Sequence, residues 1–339
     1  MSQQESGYYG KFFWLSVTSF IVPLFVAYAA LDKVKPTTKP TPKPDVSGVD
    51  HNLWDYLLRT YVENGLVDYD GISKDYLFTT YLKQIAGAQP EQLATREDKL
   101  ALHCNAYNAL VIQGVINHKI HRNEKNVLNF LPKDAADEVH KLNQQIERLK
   151  MRPQSDPAEI ERLTRKVDKL RADSQFFQLK EHVFANNTIS LDSLEQEIIR
   201  PVFNEPRIHV ALVCAARSCP AIRAAAYTGD RIEKQLQDQA QLFANDSRYV
   251  GIDDETDALQ LSPILKWYAQ DWDAHGGYLA WLSNLVSDDA VRAKLMEGQR
   301  DKSLVQFNSY DWTLNASTGS AGGTSTSGGG FGSGSVPNE

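Results

Sequence analysis

Apolar residues in "NLWDYLLRTYVEN" fall at Trp54, Leu57, Leu58, Tyr61 and Val62, which share one helical face. "KDYLFTTYLKQIAG" repeats that spacing and predicts a second helix, closed by a glycine. Between them "GLVDYDGI" reads as a turn or a short extended piece. "EDKLALHCNAYNALVIQGVINH" is apolar almost all round, so it predicts a long, central, buried helix. Over residues 135–174 the pattern narrows to a seam. Val139, Leu142, Ile146 and Leu149 are spaced three, four, three, and Ile160, Leu163, Val167 and Leu170 repeat the spacing. "MRPQSDP" separates the two runs, which predicts an antiparallel helical hairpin with charged outer faces.

Farther on, "SLDSLEQEIIR" reads as a helix with Ser190 as N-cap, Asp192 in the first turn and Pro201 as its stop. "RIHVALVC" is continuously apolar and β-rich, and predicts a strand buried on both faces. "GDRIEKQLQDQAQLFAND" predicts an amphipathic helix, and "RYVGIDDETDALQL" a hairpin with an acidic turn. "SPILKWYAQDWDAHGG" starts a helix at Ser262 and Pro263. Two short helices and a last strand within "SLVQFNSYDWTLN" complete the pass. Helices dominate, strands are few and βαβ alternation is missing. The expected fold is therefore α+β: a mainly helical single domain with a small sheet and an inserted antiparallel hairpin.

The ends read differently. Residues 12–31 contain no charge over a length that can span a bilayer, and "AYA" at 27–29 suits signal cleavage. Residues 1–31 are expected to be a signal peptide or membrane anchor, placing the protein at the cell envelope, although four lysines between 33 and 43 oppose export of the chain behind an anchor. Residues 32–50 carry four prolines and predict an extended spacer. Residues 316–339 are Gly/Ser-rich and predict a disordered tail, leaving 51–315 as the domain. A net charge of -7 gives no basic surface for nucleic acid. No zinc-type Cys/His spacing and no glycine-rich phosphate loop occur, so no metal or cofactor is expected.

Six blocks in order, "GLVDYDGI", "NAYNALVIQGVI", "ISLDSLEQEIIR", "RIHVALVCAARSCP", "LSPILKWY" and "YDWTLN", resemble the domain-of-unknown-function 547 family. The resemblance extends over most of 50–315 apart from the hairpin. It implies no agreed activity. Its Asn-Ala-Tyr-Asn core matches Asn105 to Asn108, its histidine His209, its cysteine block Cys214 and Cys219 with Arg217 and Ser218 between, and its Tyr-Asp-Trp block Tyr310 to Trp312. His103 and Cys104 stand where the family carries an aromatic and an aliphatic residue.

"CAARSCP" holds two of the three cysteines. If "PAIRAAAY" begins a helix, Cys219 sits at its N-terminus, where the helix dipole favours a thiolate. A catalytic set then places Cys219 as nucleophile, His209 as base and Asn105 or Asn108 as orienting amide. Cys214 and His209 are five apart and fall on opposite faces of a regular strand. Three further readings stand beside this one. Cys214 and Cys219 form a disulfide, as export permits; both are core residues; or the protein is a non-enzymatic interaction module, docking a partner through the hairpin or a cleft. Tyr310 and Trp312 read as core.

Overall fold

The computed structural model describes residues 35–122, 126–151, 156–173 and 175–317. The 12–31 segment and the tail from residue 318 lie outside them. Among the described residues, no helix is long and apolar enough to cross a membrane.

α1 (His51–Tyr61) begins where the Asp50 carboxylate accepts the Asn52 amide, and it buries Leu53, Trp54, Leu57 and Leu58. A two-residue turn, Asn64–Gly65, joins β1 (Val62–Glu63) to β2 (Leu66–Val67). Both turn residues have positive φ, the geometry that suits a tight hairpin. Gly65 also has no room for a side chain, since a Cβ there would come within 2.7 Å of the Ala221 Cβ. α2 (Tyr69–Lys74) and α3 (Tyr76–Ala86) follow, capped by Asp68 and Asp75. Trp54 stacks on Tyr81 at 5.3 Å between α1 and α3. α4 (Arg96–Asn117) is the central helix, with both polar Asn105 and Asn108 inside it buried.

α5 (Lys133–Lys150) and α6 (Pro157–Asp173) are the expected hairpin arms. Their eight seam residues form an apolar cluster of their own, separate from the main core. Each arm fills the other's seam, and pairs such as Lys166–Glu138 at 3.0 Å occupy the flanks. The spacer differs from its expectation. From residue 35 it lies along the domain, with Lys39 bound to Asp75 at 2.9 Å and Ser47 and Val49 buried.

β3 (His182–Phe184) pairs antiparallel with β4 (Asn187–Ile189). Ser190 then caps the next helix as expected, accepting the Ser193 amide. That helix widens to π-geometry over Leu194–Ile199 and continues through Pro201 to Phe203, ending at Asn204 in the left-handed region. Pro201 therefore does not stop it. The turn before it is already off the regular ladder, with the Arg200 amide donating to the Glu195 carbonyl five residues back, so the run accommodates the proline within its π-widened stretch.

Two expectations fail between residues 206 and 228. "RIHVALV" is not a strand: Pro206–Val210 is a 3-10 turn followed by irregular chain. The residues are buried as expected, but their polar backbone is satisfied by a side chain, not by a neighbouring strand. Asn108 Nδ2 donates to the Ala211 carbonyl, and Oδ1 accepts the Val213 amide, both at 3.0 Å. Likewise "PAIRAAAY" is not a helix. Asn105 brackets the Tyr227 peptide groups at 2.8 and 2.9 Å, Asp55 accepts the Ala226 amide, and Gln235 and Gln239 donate to the Ala226 and Ala221 carbonyls. Backbone groups committed to side chains in this way cannot enter a helical ladder.

α7 (Ile232–Ala244) covers this segment. β5 (Val250–Ile252) and β6 (Leu259–Leu261) form the expected hairpin. α8 (Tyr278–Ser283) and α9 (Asp289–Arg300) precede β7 (Val305–Phe307), which adds to β6 in parallel. This part has its own cluster around Phe243, Leu261, Trp272 and Leu295. The fold is thus α+β and mainly helical, with two- and three-stranded sheets. The segment after β7 returns to earlier parts of the chain, where it bridges Val67, Asn126 and Ala216.

Candidate active site

The "CAARSCP" loop is held from two sides. On one, Asn108 fixes the backbone at 211 and 213, immediately before Cys214. On the other, the last described segment runs antiparallel to the loop. The Arg217 amide donates to the Thr313 carbonyl, the Ser218 amide to the Asp311 carbonyl, and the Asn315 amide to the Ala215 carbonyl. Two of the sequence blocks that stood almost a hundred residues apart are therefore one structural unit. Within it Ala215 has φ 62, a left-handed conformation that costs a residue with a Cβ about 1–2 kcal/mol.

Cys219 does not stand at a helix N-terminus, because no helix follows it before α7. It is buried, and its sulfur accepts the Cys214 amide at 2.9 Å. Cys214 is partly exposed, and its sulfur lies 3.1 Å from the Tyr310 hydroxyl. Both thiols are free. Their environments push them apart. Burial raises the Cys214 thiol, but hydrogen bonds from the Cys219 thiol, Tyr310 and the Ala216 amide outweigh it and hold Cys214 below its ordinary value. Burial and the adjacent Cys214 push Cys219 well up. Tyr310 acts on both sulfurs; what separates them is that the Cys219 thiol donates to Cys214, so the anion forms on Cys214 and its charge then opposes ionisation of Cys219.

The two sulfurs, His209 and Glu195 line one cavity of about 370 Å³. His209 Nε2 is 2.7 Å from Asp271 Oδ2. Asp271 is also gripped by Arg200 through two hydrogen bonds, at 2.9 and 2.7 Å. The His209 hydrogen bond, with the Arg200 guanidinium beside it, holds the Asp271 carboxyl well below the usual carboxylate range. Asp271 is therefore an acceptor and Nε2 carries the proton between them, which leaves Nδ1 as the ring nitrogen that can face a second partner. The imidazole is fixed in plane by Tyr268, stacked at 3.8 Å, and by Trp272.

The structure brings Cys214, Cys219 and His209 together at the cavity. Asn105 and Asn108 do not line it; their side-chain groups are committed to the backbone of the surrounding loops. Sequence reasoning missed Asp271 and Glu195. Asp271 follows no spacing rule relative to His209, and Glu195 hides among the polar positions of an apparently amphipathic helix. Its one signal is burial beside Leu194 and Ile199. Tyr310 and Trp312 are half-buried: they pack against the main core, as expected, and also form part of the cavity wall. Cys104 is a fully buried thiol raised by that burial, and His103 Nδ1 donates to the Lys99 carbonyl at 2.6 Å, its ring lying between Phe184 and Phe203. Among the described residues no group of three or more His, Cys, Asp or Glu could hold a metal ion.

Residues 90–244 match the family described as "Protein of unknown function, DUF547". The chain thus resembles that family over α4, the hairpin, the π-widened helix, the cysteine loop and α7. Asp271, Trp267, Tyr310 and Trp312 lie beyond the matched stretch. No curated protein and no solved structure matches the chain.

Proposed function

We propose that the cavity is the active site of a thiol-dependent acyl hydrolase or transferase, with Cys214 as nucleophile, His209 as base and Asp271 as the residue that orients His209. The observation that carries this reading is the convergence of a donor-rich Cys214 sulfur and an Asp271-held imidazole on one cavity. The role first considered for Cys219 passes to Cys214, because Cys219 is the buried and raised thiol of the pair. Cys219 acts as a donor to the Cys214 sulfur. Asn105 and Asn108 are positioning residues that hold the loops.

In this scheme Nδ1 of His209 takes the thiol proton as Cys214 Sγ bonds to the substrate carbonyl carbon. When the bond to the leaving group breaks, His209 returns that proton to it, and a thioester remains. Water or an acceptor alcohol or amine then attacks the thioester. Its proton passes to Nδ1 and from there to the departing Cys214 sulfur. The left-handed Ala215 is consistent with strain kept at a reactive position.

Incubation with p-nitrophenyl acetate, followed by peptide mass spectrometry, tests this reading. An acetyl group on Cys214 with a burst of nitrophenolate is the expected result. Acetylation confined to surface lysines, with no burst, contradicts it. The charge-free stretch at 12–31 supports an envelope location, which fractionation of cells expressing the full chain tests.

A further inference from the structure

The chemistry of the cavity wall is one-sided. Two carboxyl side chains, Asp192 and Glu195, line it, and no lysine or arginine does among the described residues. Glu195 is 9% exposed, yet no cationic side chain lies within ion-pair distance of it among those residues. Its oxygens accept hydrogen bonds from Tyr107 at 3.1 Å and Gln196 at 3.4 Å. The neighbouring guanidinium of Arg200 is engaged elsewhere, bound to Asp271 and stacked over Tyr268 at 5.0 Å. A carboxylate withdrawn from water with no counter-charge in contact is costly, and hydrogen bonds from neutral donors with the more distant field of Arg200 repay only part of that cost.

Opposite chemistry supplies the rest of the wall. Trp267, Tyr310 and Trp312 form one aromatic group, with ring centroids 4.6 to 6.1 Å apart. Trp267 remains 50% exposed, an unusual position for so large an apolar ring. Electron-rich ring faces beside a buried carboxylate are the combination that recognises a positively charged nitrogen. The π-widened turn Leu194–Ile199 gives the same indication, since such turns occur frequently at functional sites and this one carries Glu195 to the cavity.

We infer that the cavity binds a small molecule bearing an amine or alkylammonium group, seated between Glu195 and Asp192 and the Trp267–Tyr310–Trp312 wall. This rests on the reading of the cavity as a substrate site and names the class of substrate: an acyl compound, or an acyl acceptor, with a cationic nitrogen.

Tryptophan fluorescence of the full chain, titrated with choline and with n-butylammonium, tests it against the uncharged analogues 3,3-dimethylbutan-1-ol and 1-butanol. Saturable binding of either cation, at least roughly tenfold tighter than its neutral analogue, is expected. Glu195→Gln should weaken that binding about tenfold or more, and Trp267→Leu, at a half-exposed position that folding tolerates, should weaken it as well. The Cys214→Ser variant separates this inference from the catalytic one: it should lose acetylation and keep cation binding. Equal binding of charged and neutral analogues, or cation binding that Glu195→Gln and Trp267→Leu both leave unchanged, overturns the inference even if Cys214 is acetylated.

Discussion

His209 Nε2 and Asp271 Oδ2 lie 2.7 Å apart, although 62 residues separate them in the chain. This contact fixes the tautomer of His209 and points its free nitrogen away from Asp271. Replacing Asp271 by Asn keeps the size and reverses the hydrogen-bonding preference, because an amide can donate to Nε2 and push the proton to Nδ1. The reaction of Cys214 with p-nitrophenyl acetate should then fall by about two orders of magnitude or more, the range expected for loss of general-base action. A single-turnover assay checks this. A rate unchanged in Asp271→Asn contradicts the assigned role.

Asn108 replaces a missing strand partner. Asn108→Ala leaves a buried carbonyl and a buried amide unsatisfied, at Ala211 and Val213. The expected loss of stability is about 2–4 kcal/mol, read from urea denaturation. Asn108→Ala should also slow alkylation of Cys214, since the freed backbone leads directly into it. A variant as stable as the parent would mean that the loop finds other partners.

Asn105 and Asn108 show where the sequence was readable and where it was not. α4, the hairpin arms and the β5–β6 hairpin were legible because their apolar period is local. Residues 206–228 were not, because side chains on α4 about a hundred positions away satisfy their backbone. Apolar content alone looked like a strand. The candidate cysteines and His209 were legible as residue types beside an unusual turn. Asp271 and Glu195 were not, because nothing local marks a carboxylate that acquires its role only when distant segments pack together.

Burial depresses three histidines. His51 is lowered to about 4, with Tyr81 and Asn105 bonded to its Nδ1, and His182 is lowered to about 4 as well. His103 is lowered by the same cause. The unfolded chain takes up protons at these positions below its ordinary value of 6.5, whereas in the folded chain His51 and His182 do not until about 4, and His103 takes one up only at a lower pH than in the unfolded chain. Their contribution is complete above 6.5 and is lost as pH falls from 6.5 towards 4. Urea unfolding at stepped pH should lose roughly 1.4 kcal/mol per unit for each histidine that titrates only in the unfolded chain. Stability that stays flat across this window contradicts the assignment.

The hairpin core is separate from the main one. Replacing residues 133–173 by a short Gly/Ser linker should leave cooperative unfolding, with a melting temperature within a few degrees of the parent. Loss of the cooperative transition would show that the arms support the domain.

The central claim is that Cys214, not Cys219, is the activated thiol of the cavity. Alkylation of the full chain by iodoacetamide at neutral pH, followed residue by residue by mass spectrometry, measures it directly. The account predicts that Cys214 reacts first, that its rate rises with an apparent pKa below that of an ordinary thiol, and that Cys219 and Cys104 stay unmodified until the protein unfolds. Preferential modification of Cys219, or a Cys214 rate that rises only at the pH of a free thiol, would contradict it.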